Sequence, residues 1–244
     1  MIWIIGGTSE AGILVHGIKG KKDYLITVAT ETGKEFLDNG EKVQAGRLNF
    51  KAMVDFIETN GVKTVVDLSH PYAVEVSETA FKAASQTGCT YFRYSRSRIE
   101  SETAEVVRSL DECVERLKEI SGCVFFTTGS NHIKQFQKVR GSNRFVYRVL
   151  PSVESMEICR QNNVAVKDIV AGLGPFSLEM NIATFRDYQA DYVVMKNSGK
   201  QGGTREKIQA CQHLDITPIL IDKPAEDGFT NLKELINTLL NDKT

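Results

Sequence analysis

Gly6-Gly7-Thr8-Ser9-Glu10-Ala11-Gly12, set directly after the apolar run Ile2 to Ile5, is the segment whose residue types most directly suggest chemistry. Glycines permit a tight turn and let backbone amides approach a pyrophosphate. Thr8 and Ser9 add hydroxyl donors, and a following helix directs the positive end of its dipole at the same point. A nucleotide phosphate is the matching ligand. The spacing departs from G-x-G-x-x-G, so a plain strand-to-helix turn is the competing reading.

The end of a second strand normally decides between nicotinamide dinucleotides, because an acid there binds a free ribose 2′-hydroxyl and a cation accepts a 2′-phosphate. Thr30-Glu31-Thr32-Gly33-Lys34 offers both, so NADH and NADPH are both candidates, beside a solvated loop with no ligand contact. Asp67-Leu68-Ser69-His70-Pro71-Tyr72 follows the next strand and is expected on the same carboxyl edge. Its proline keeps His70 extended and aims the imidazole and the Tyr72 ring into the crevice; a structural hydrogen bond is the alternative role for His70. Arg47, Arg93, Arg96 and Arg98 fall near strand ends or between domains. Singly they suit solvent, but as a group they suit several carboxylates, since a guanidinium holds a carboxylate by two hydrogen bonds.

In the second half, Gly172-Leu173-Gly174-Pro175-Phe176-Ser177 and Lys196-Asn197-Ser198-Gly199-Lys200-Gln201-Gly202-Gly203-Thr204 are glycine-rich loops of the kind that contact ligands. Thr127-Thr128-Gly129-Ser130 follows a strand much as Gly6 to Ser9 does. Tyr192 and Lys196 match Tyr-x-x-x-Lys, the catalytic spacing of short-chain dehydrogenases, which works on a helix. The β-branched run between them predicts a strand, on which the two residues would stand roughly 13 Å apart, too far for the lysine to tune the tyrosine.

Short β-branched runs alternating with amphipathic stretches give the pattern of parallel sheets covered by helices. Strands are expected at Ile2–Ile5, Tyr24–Ala29, Thr64–Leu68 and Tyr91–Tyr94, with helices at Ala11–Lys19, Phe50–Thr59 and Glu75–Gln86. The polar run from Ser95 to Glu102 marks a boundary. Beyond it, strands are expected at Ala104–Val107, Cys123–Thr127, Phe145–Leu150, Tyr192–Met195 and Pro218–Ile221, and helices at Leu110–Ile120, Val153–Gln161, Leu178–Asp187, Thr204–His213 and Thr230–Leu240. The expected fold is α/β: two Rossmann-like three-layer domains with mostly parallel sheets, residues 1–98 for the dinucleotide and 99–244 completing a substrate cleft between them. The five widely spaced cysteines are expected as free thiols, and the four histidines show no zinc spacing. A net charge of −1 supplies no global field for nucleic acid. No run approaches the roughly 18 apolar residues of a membrane span, and the N-terminal residues lack signal-peptide features. These readings predict a cytoplasmic enzyme with no protein-bound metal.

Taken in order, Gly6-Gly7-Thr8-Ser9-Glu10, Val28-Ala29-Thr30, Gly46-Arg47-Leu48, Asp67-Leu68-Ser69-His70-Pro71-Tyr72-Ala73, Thr127-Thr128-Gly129, Gly174-Pro175-Phe176-Ser177 and Lys196-Asn197-Ser198-Gly199 resemble the precorrin-6A reductase family over nearly the whole chain. The second and third segments resemble the anaerobic branch, which handles cobalt-precorrin-6A. The resemblance implies hydride transfer from NADPH or NADH to a tetrapyrrole macrocycle in cobalamin biosynthesis. It puts Gly6, Gly7, Thr8 and Ser9 on the pyrophosphate, Ala29, Thr30, Thr32 and Lys34 near the adenosine ribose, and Ser69 and His70 near the nicotinamide. Arg47, Tyr72, Arg93, Thr128, Gly129, Pro175, Phe176, Ser177, Asn197, Ser198 and Gly199 are then expected at the substrate, with His70 and Lys196 delivering a proton or stabilising charge. Any cobalt arrives with the substrate. Transient contact with neighbouring pathway enzymes is the one macromolecular partnership expected. A non-catalytic dinucleotide sensor and a short-chain-type dehydrogenase are the competing functions.

Overall fold

The computed structural model describes residues 1–244 other than 39, 71, 223–226 and 243–244, and of residues 32 and 36 only the backbone. In chain order the elements are β1 (Ile2–Ile5), α1 (Ser9–Ile18), β2 (Tyr24–Val28), β3 (Val43–Ala45), α2 (Phe50–Thr59), β4 (Thr64–Asp67), α3 (Val74–Thr87) and β5 (Thr90–Arg93). There follow β6 (Glu105–Val107), α4 (Leu110–Leu117), β7 (Cys123–Phe126), α5 (Ile133–Lys138), β8 (Arg144–Val149), α6 (Val153–Gln161) and β9 (Ile169–Ala171). The chain ends with α7 (Leu178–Asp187), β10 (Tyr192–Lys196), α8 (Thr204–Leu214), β11 (Thr217–Ile221) and α9 (Leu232–Asn241). These elements form two compact units, residues 1–96 with 225–244 and residues 97–224.

The first unit is a parallel sheet ordered β3-β2-β1-β4-β5. All four residues of β1 are buried, as a central parallel strand covered on both faces requires. Ile2 and Ile4 pack with Leu14 and Ile18 of α1 and Leu235 and Leu239 of α9, whereas Trp3 and Ile5 face Met53, Ile57 and the Ala80-Ala83-Ala84 stripe of α2 and α3. Trp3 Nε1 donates to Thr27 Oγ1 at 3.0 Å, so the largest core side chain also has its polar atom satisfied. The division expected after residue 98 gives α9 to the second domain; the structure gives it to the first. Leu235 and Leu239 cover the apolar face of α1, where Gly17 leaves room for Ile236. The returning segment also runs beside β5, Phe229 N donating to Arg93 O and Ser95 N to Phe229 O, both at 2.8 Å.

The second unit is a parallel sheet ordered β6-β11-β10-β7-β8-β9. Phe125, Val146, Val193, Met195 and Leu220 face α7 and α8 through Phe185, Ile208 and Cys211. Phe126 lies between the rings of Phe136 and Tyr147, at centroid distances of 4.5 and 4.8 Å. The short elements β3, β9 and α5 were not expected from the sequence: three-residue strands and a six-residue helix carry too little periodicity to register. All five cysteines are free.

A bidentate ion pair fixes the first unit's loop edge. Arg96 Nε and Nη2 donate to Glu10 Oε1 and Oε2 at 2.6 and 2.8 Å, with both side chains buried, joining the segment after β5 to the first turn of α1. Burial pushes the Glu10 carboxyl up, but the hydrogen bonds and charge of Arg96 outweigh it and hold it below the ordinary range. Arg96→Met, which strands a buried carboxylate, is expected to lower unfolding free energy in urea by about 3–5 kcal/mol. The double variant Glu10→Met with Arg96→Met should recover most of that loss. Because Glu10 titrates lower in the folded chain than in the unfolded one, the pair's contribution is complete above pH 4.5 and fades as pH falls through the folded value.

Candidate active site

The strand order of the first unit makes its connections diverge at β1 and β4, and ligands bind parallel sheets at the carboxyl edge of such a switch point. Gly6 to Ser9 leave β1 there, and Leu68 to His70 leave β4. Gly7 has φ +105°, a conformation that favours glycine, and a Cβ built on it would meet no atom within 4 Å. A Cβ on Gly6 would sit 3.3 Å from that of Ala11, so Gly6 lets the turn close onto α1. The first turn of α1 has no side-chain cap from Thr8. An open, amide-lined turn ahead of a ten-residue helix fits a pyrophosphate.

Two hydroxyls expected at the phosphate behave differently. Ser9 is exposed, its Oγ 3.3 Å from Glu10 Oε2. Thr8 is buried, and its Oγ1 donates to Leu68 O at 2.8 Å, tying the two switch-point loops together. At the end of β2, Ala29 and Thr30 are exposed, Lys34 pairs with the exposed Glu31 at 2.8 Å, and the Thr32 side chain lies outside the described residues. The acid and the cation that would discriminate between the dinucleotides thus engage each other.

His70 is exposed, and its Nδ1 accepts the Tyr72 N–H at 3.3 Å while the two rings lie 5.9 Å apart. Pro71, expected to stiffen this loop, lies outside the described residues. Arg47 is exposed beyond β3. Arg93, expected at the substrate, is buried in the fold: Nη1 lies 3.0 Å from Asp67 Oδ1 and donates to Ser69 O at 3.0 Å and to Ser69 Oγ at 3.2 Å. Asp67 also accepts the Ser69 N–H and the Tyr91 hydroxyl, each at 2.8 Å. Arg93 and buried Ser69 therefore shape the loop that carries His70.

In the second unit the connections diverge between β7 and β10, so the loops at 127–132 and 196–203 flank its switch point. The first carries Thr128, whose buried Oγ1 has no hydrogen-bond partner, and Gly129 at φ +78°. The second begins at Lys196, whose pKa burial lowers to about 8. His132 was not singled out from the sequence. Its pKa is lowered by burial and by the charge of Lys196, opposed by the hydrogen bond that Nδ1 donates to Gln135 Oε1, so a neutral imidazole and a lysine poised near neutrality share this edge. Asn197, expected at the substrate, is buried: Oδ1 accepts from Ile99 N and Nδ2 donates to Ile99 O, both at 3.0 Å, anchoring the segment that enters this unit. Ser198 N donates to Thr204 Oγ1 at 3.2 Å, and Gly199 takes φ +71° in the turn between them. Ser177 caps α7 by accepting from Met180 N; Pro175 is exposed and Phe176 half-buried. Tyr192 and Lys196 stand at opposite ends of the strand β10, so the short-chain dehydrogenase pairing does not form. A separate concavity of about 640 Å³ runs along residues 98–103 and α8. Among the described residues, no group of three or more metal-ligating side chains converges, and no helix is long and apolar enough to cross a membrane.

Residues 1–240 match the model of the family described as precorrin-6x reductase CbiJ/CobK. The chain belongs to this family. It is 35% identical to cobalt-precorrin-6A reductase of Priestia megaterium, covering 99% of this chain and 98% of the relative. It is 32% identical to the protein of that name from Salmonella typhimurium, over 91% and 87% of the two chains. The solved structure of CobK precorrin-6A reductase superposes with a TM-score of 0.79 at 24% identity, covering 98% and 95% of the two chains, and shares the fold. The precorrin-6x reductases are oxidoreductases of cobalamin biosynthesis acting on a CH–CH group.

Thr8→Val separates the structural role of that hydroxyl from a phosphate contact. It leaves Leu68 O without its donor and is expected to lower stability by about 1–3 kcal/mol in urea unfolding, while dinucleotide affinity, measured by fluorescence titration, stays within a few-fold.

Proposed function

We propose that this chain reduces cobalt-precorrin-6A to cobalt-precorrin-6B with a reduced nicotinamide dinucleotide. The observation that carries the reading is the open glycine turn, Gly6-Gly7, ahead of α1 at the first sheet's switch point, in a chain of this reductase family. Backbone amides of residues 6–9 hold the pyrophosphate, the 29–34 segment the adenosine ribose, and the Ser69-His70 loop the nicotinamide end. When bound, the dinucleotide supplies the hydride.

This chain's own residues do the rest. Arg93, Asp67 and Tyr91 hold the β4 loop in one shape, which positions His70 without solvent reorganisation at the moment of reaction. Lys196 holds a proton at Nζ that burial makes easier to release, and neutral His132 beside it relays or replaces that proton. In the first unit the exposed Arg47 offers its guanidinium to a carboxylate, and in the second the 128–129 and 175–177 segments offer amides, hydroxyls and the Phe176 ring to a ligand. No observation favours a sensor over an enzyme, and a parallel strand at 192–196 opposes the dehydrogenase alternative.

Mixing the protein with cobalt-precorrin-6A and either dinucleotide should remove the reduced-nicotinamide absorbance in proportion to macrocycle consumed; absence of loss with both cofactors contradicts the reading. His70→Ala is expected to lower kcat more than about tenfold with dinucleotide affinity unchanged, and unaltered turnover would remove His70 from the mechanism. If protonated Lys196 is the donor, kcat declines as pH rises through about 8, and Lys196→Met abolishes that limb. Glu31→Gln should shift preference toward NADPH and Lys34→Gln toward NADH, each by about two- to fivefold, the size of an exposed charge contact; ratios of kcat/KM for the two cofactors check this.

A further inference from the structure

The second unit buries two cations on the α7/α8 face of its sheet, and among the described residues neither forms an ion pair. Arg148, on β8, is 6% exposed; its Nη1 donates to Asn181 Oδ1 at 2.9 Å, and its guanidinium carbon stands 4.3 Å from the centre of the Phe176 ring. Lys207, on α8, is 8% exposed, and its Nζ donates to Gly202 O at 2.9 Å. Among the described residues, no carboxylate lies within ion-pair distance of either. Burial, and after it the charge of Arg148, lowers the pKa of Lys207 to about 7. Burial alone takes Arg148 down to about 10.

Two buried carboxylates of the first unit, by contrast, are paired: Glu10 with Arg96, and Asp67 with Arg93. An uncompensated buried ion is strongly destabilising, so such a pair is retained where something else supplies the opposite charge. The surroundings suit an anion. Phe176 lies over the guanidinium, whose Nη1 donates to the neutral Asn181, and Lys207 spends its bond on an uncharged carbonyl of the glycine loop at the switch point. Gly203, at φ +64°, brings that loop against Pro175, where an added Cβ would stand 3.4 Å from the proline Cβ.

We infer that Arg148 and Lys207 form an anion subsite, behind the 199–203 and 172–177 loops, that takes one carboxylate of the ligand. This rests on the reading that the ligand is a macrocycle carrying several carboxylates. Arrival of the carboxylate gives Lys207 the partner that makes its charged form stable, so binding at mildly alkaline pH takes a proton from solvent onto Nζ. The groups facing that lysine are Arg148 from β8 and Glu206 from its own helix, while α7 offers neutral Asn181 and Phe185 to Arg148. Glu206 raises the lysine's pKa, yet burial and Arg148 prevail. Among the described residues, the Glu206 carboxylate forms no ion pair with Lys207 or Arg148, and its buried Oε2 has no hydrogen-bond partner.

Cobalt-precorrin-6A binding, followed by absorbance at pH 8, should weaken at least about tenfold in Arg148→Met and in Lys207→Met, the loss of one charge-assisted bond, with dinucleotide affinity intact. Lys207→Arg should bind within a few-fold of wild type. Calorimetry in two buffers of different ionisation enthalpy should show uptake approaching one proton in wild type and none in Lys207→Arg, a signature that a purely structural lysine would not produce. A second arm needs no macrocycle. Propionate added to protein labelled with ¹⁵N-arginine should shift the Arg148 Nε–H resonance saturably, and Lys207→Met should abolish the shift. Wild-type affinity in both methionine variants overturns the subsite. If wild type binds no macrocycle, the substrate reading fails, and the subsite then stands on a saturable propionate shift or falls on its absence.

Discussion

In a parallel sheet every strand delivers its next loop to the same edge, and where successive connections turn to opposite faces those loops part and leave a crevice. Each unit of this chain has one such point, between β1 and β4 in the first and between β7 and β10 in the second. The residues with chemistry to offer collect there because the hydrogen-bonded register leaves nowhere else for them. Strand interiors are apolar and covered on both sides, as Ile2 to Ile5 and Cys123 to Phe126 show. Helix faces are committed to that covering. What remains for function is the edge, and the chain spends its glycines, hydroxyls and buried charges on it.

The two units use buried charge differently. The first closes its ion pairs internally, and those pairs hold loops: Arg96 with Glu10 at the start of α1, Arg93 with Asp67 and Ser69 after β4. A loop fixed in this way presents amides to an anion without first being ordered by it. The second keeps Lys196, Arg148 and Lys207 at depressed pKa values, chiefly through burial. Charge in the first unit thus fixes loop shape, whereas charge in the second is held at depressed pKa by its surroundings.

Much of this was legible in the sequence because central parallel strands read as unbroken apolar runs and their helices as 3.6-residue periodicity. Phe50–Thr59, Val153–Gln161 and Leu178–Asp187 fall where spacing puts them. Loop positions followed from the strands, so Gly6–Ser9, Ser69-His70 and Asn197–Gly199 are at carboxyl edges as expected. Individual side chains were less legible. Arg93, Thr8 and Asn197 look like ligand contacts by type and place, and the sequence does not show that each also holds a partner distant along the chain: Asp67, Leu68 and Ile99. Arg148 and Lys207 read as ordinary strand and helix positions, and only the packing of β8 against α7 and α8 buries them. The return of α9 to the first unit was hidden for the same reason: an amphipathic helix announces a buried face and not its partner.

The account depends on a diphosphate held by the amides after β1, and amide hydrogen exchange reads those groups directly. With NADPH or NADH at saturation, exchange should slow at residues 6–12 and 67–70, with little change in the interior strands that are already protected. Binding that leaves 6–12 exchanging at the free rate, or protects a different edge, would contradict it.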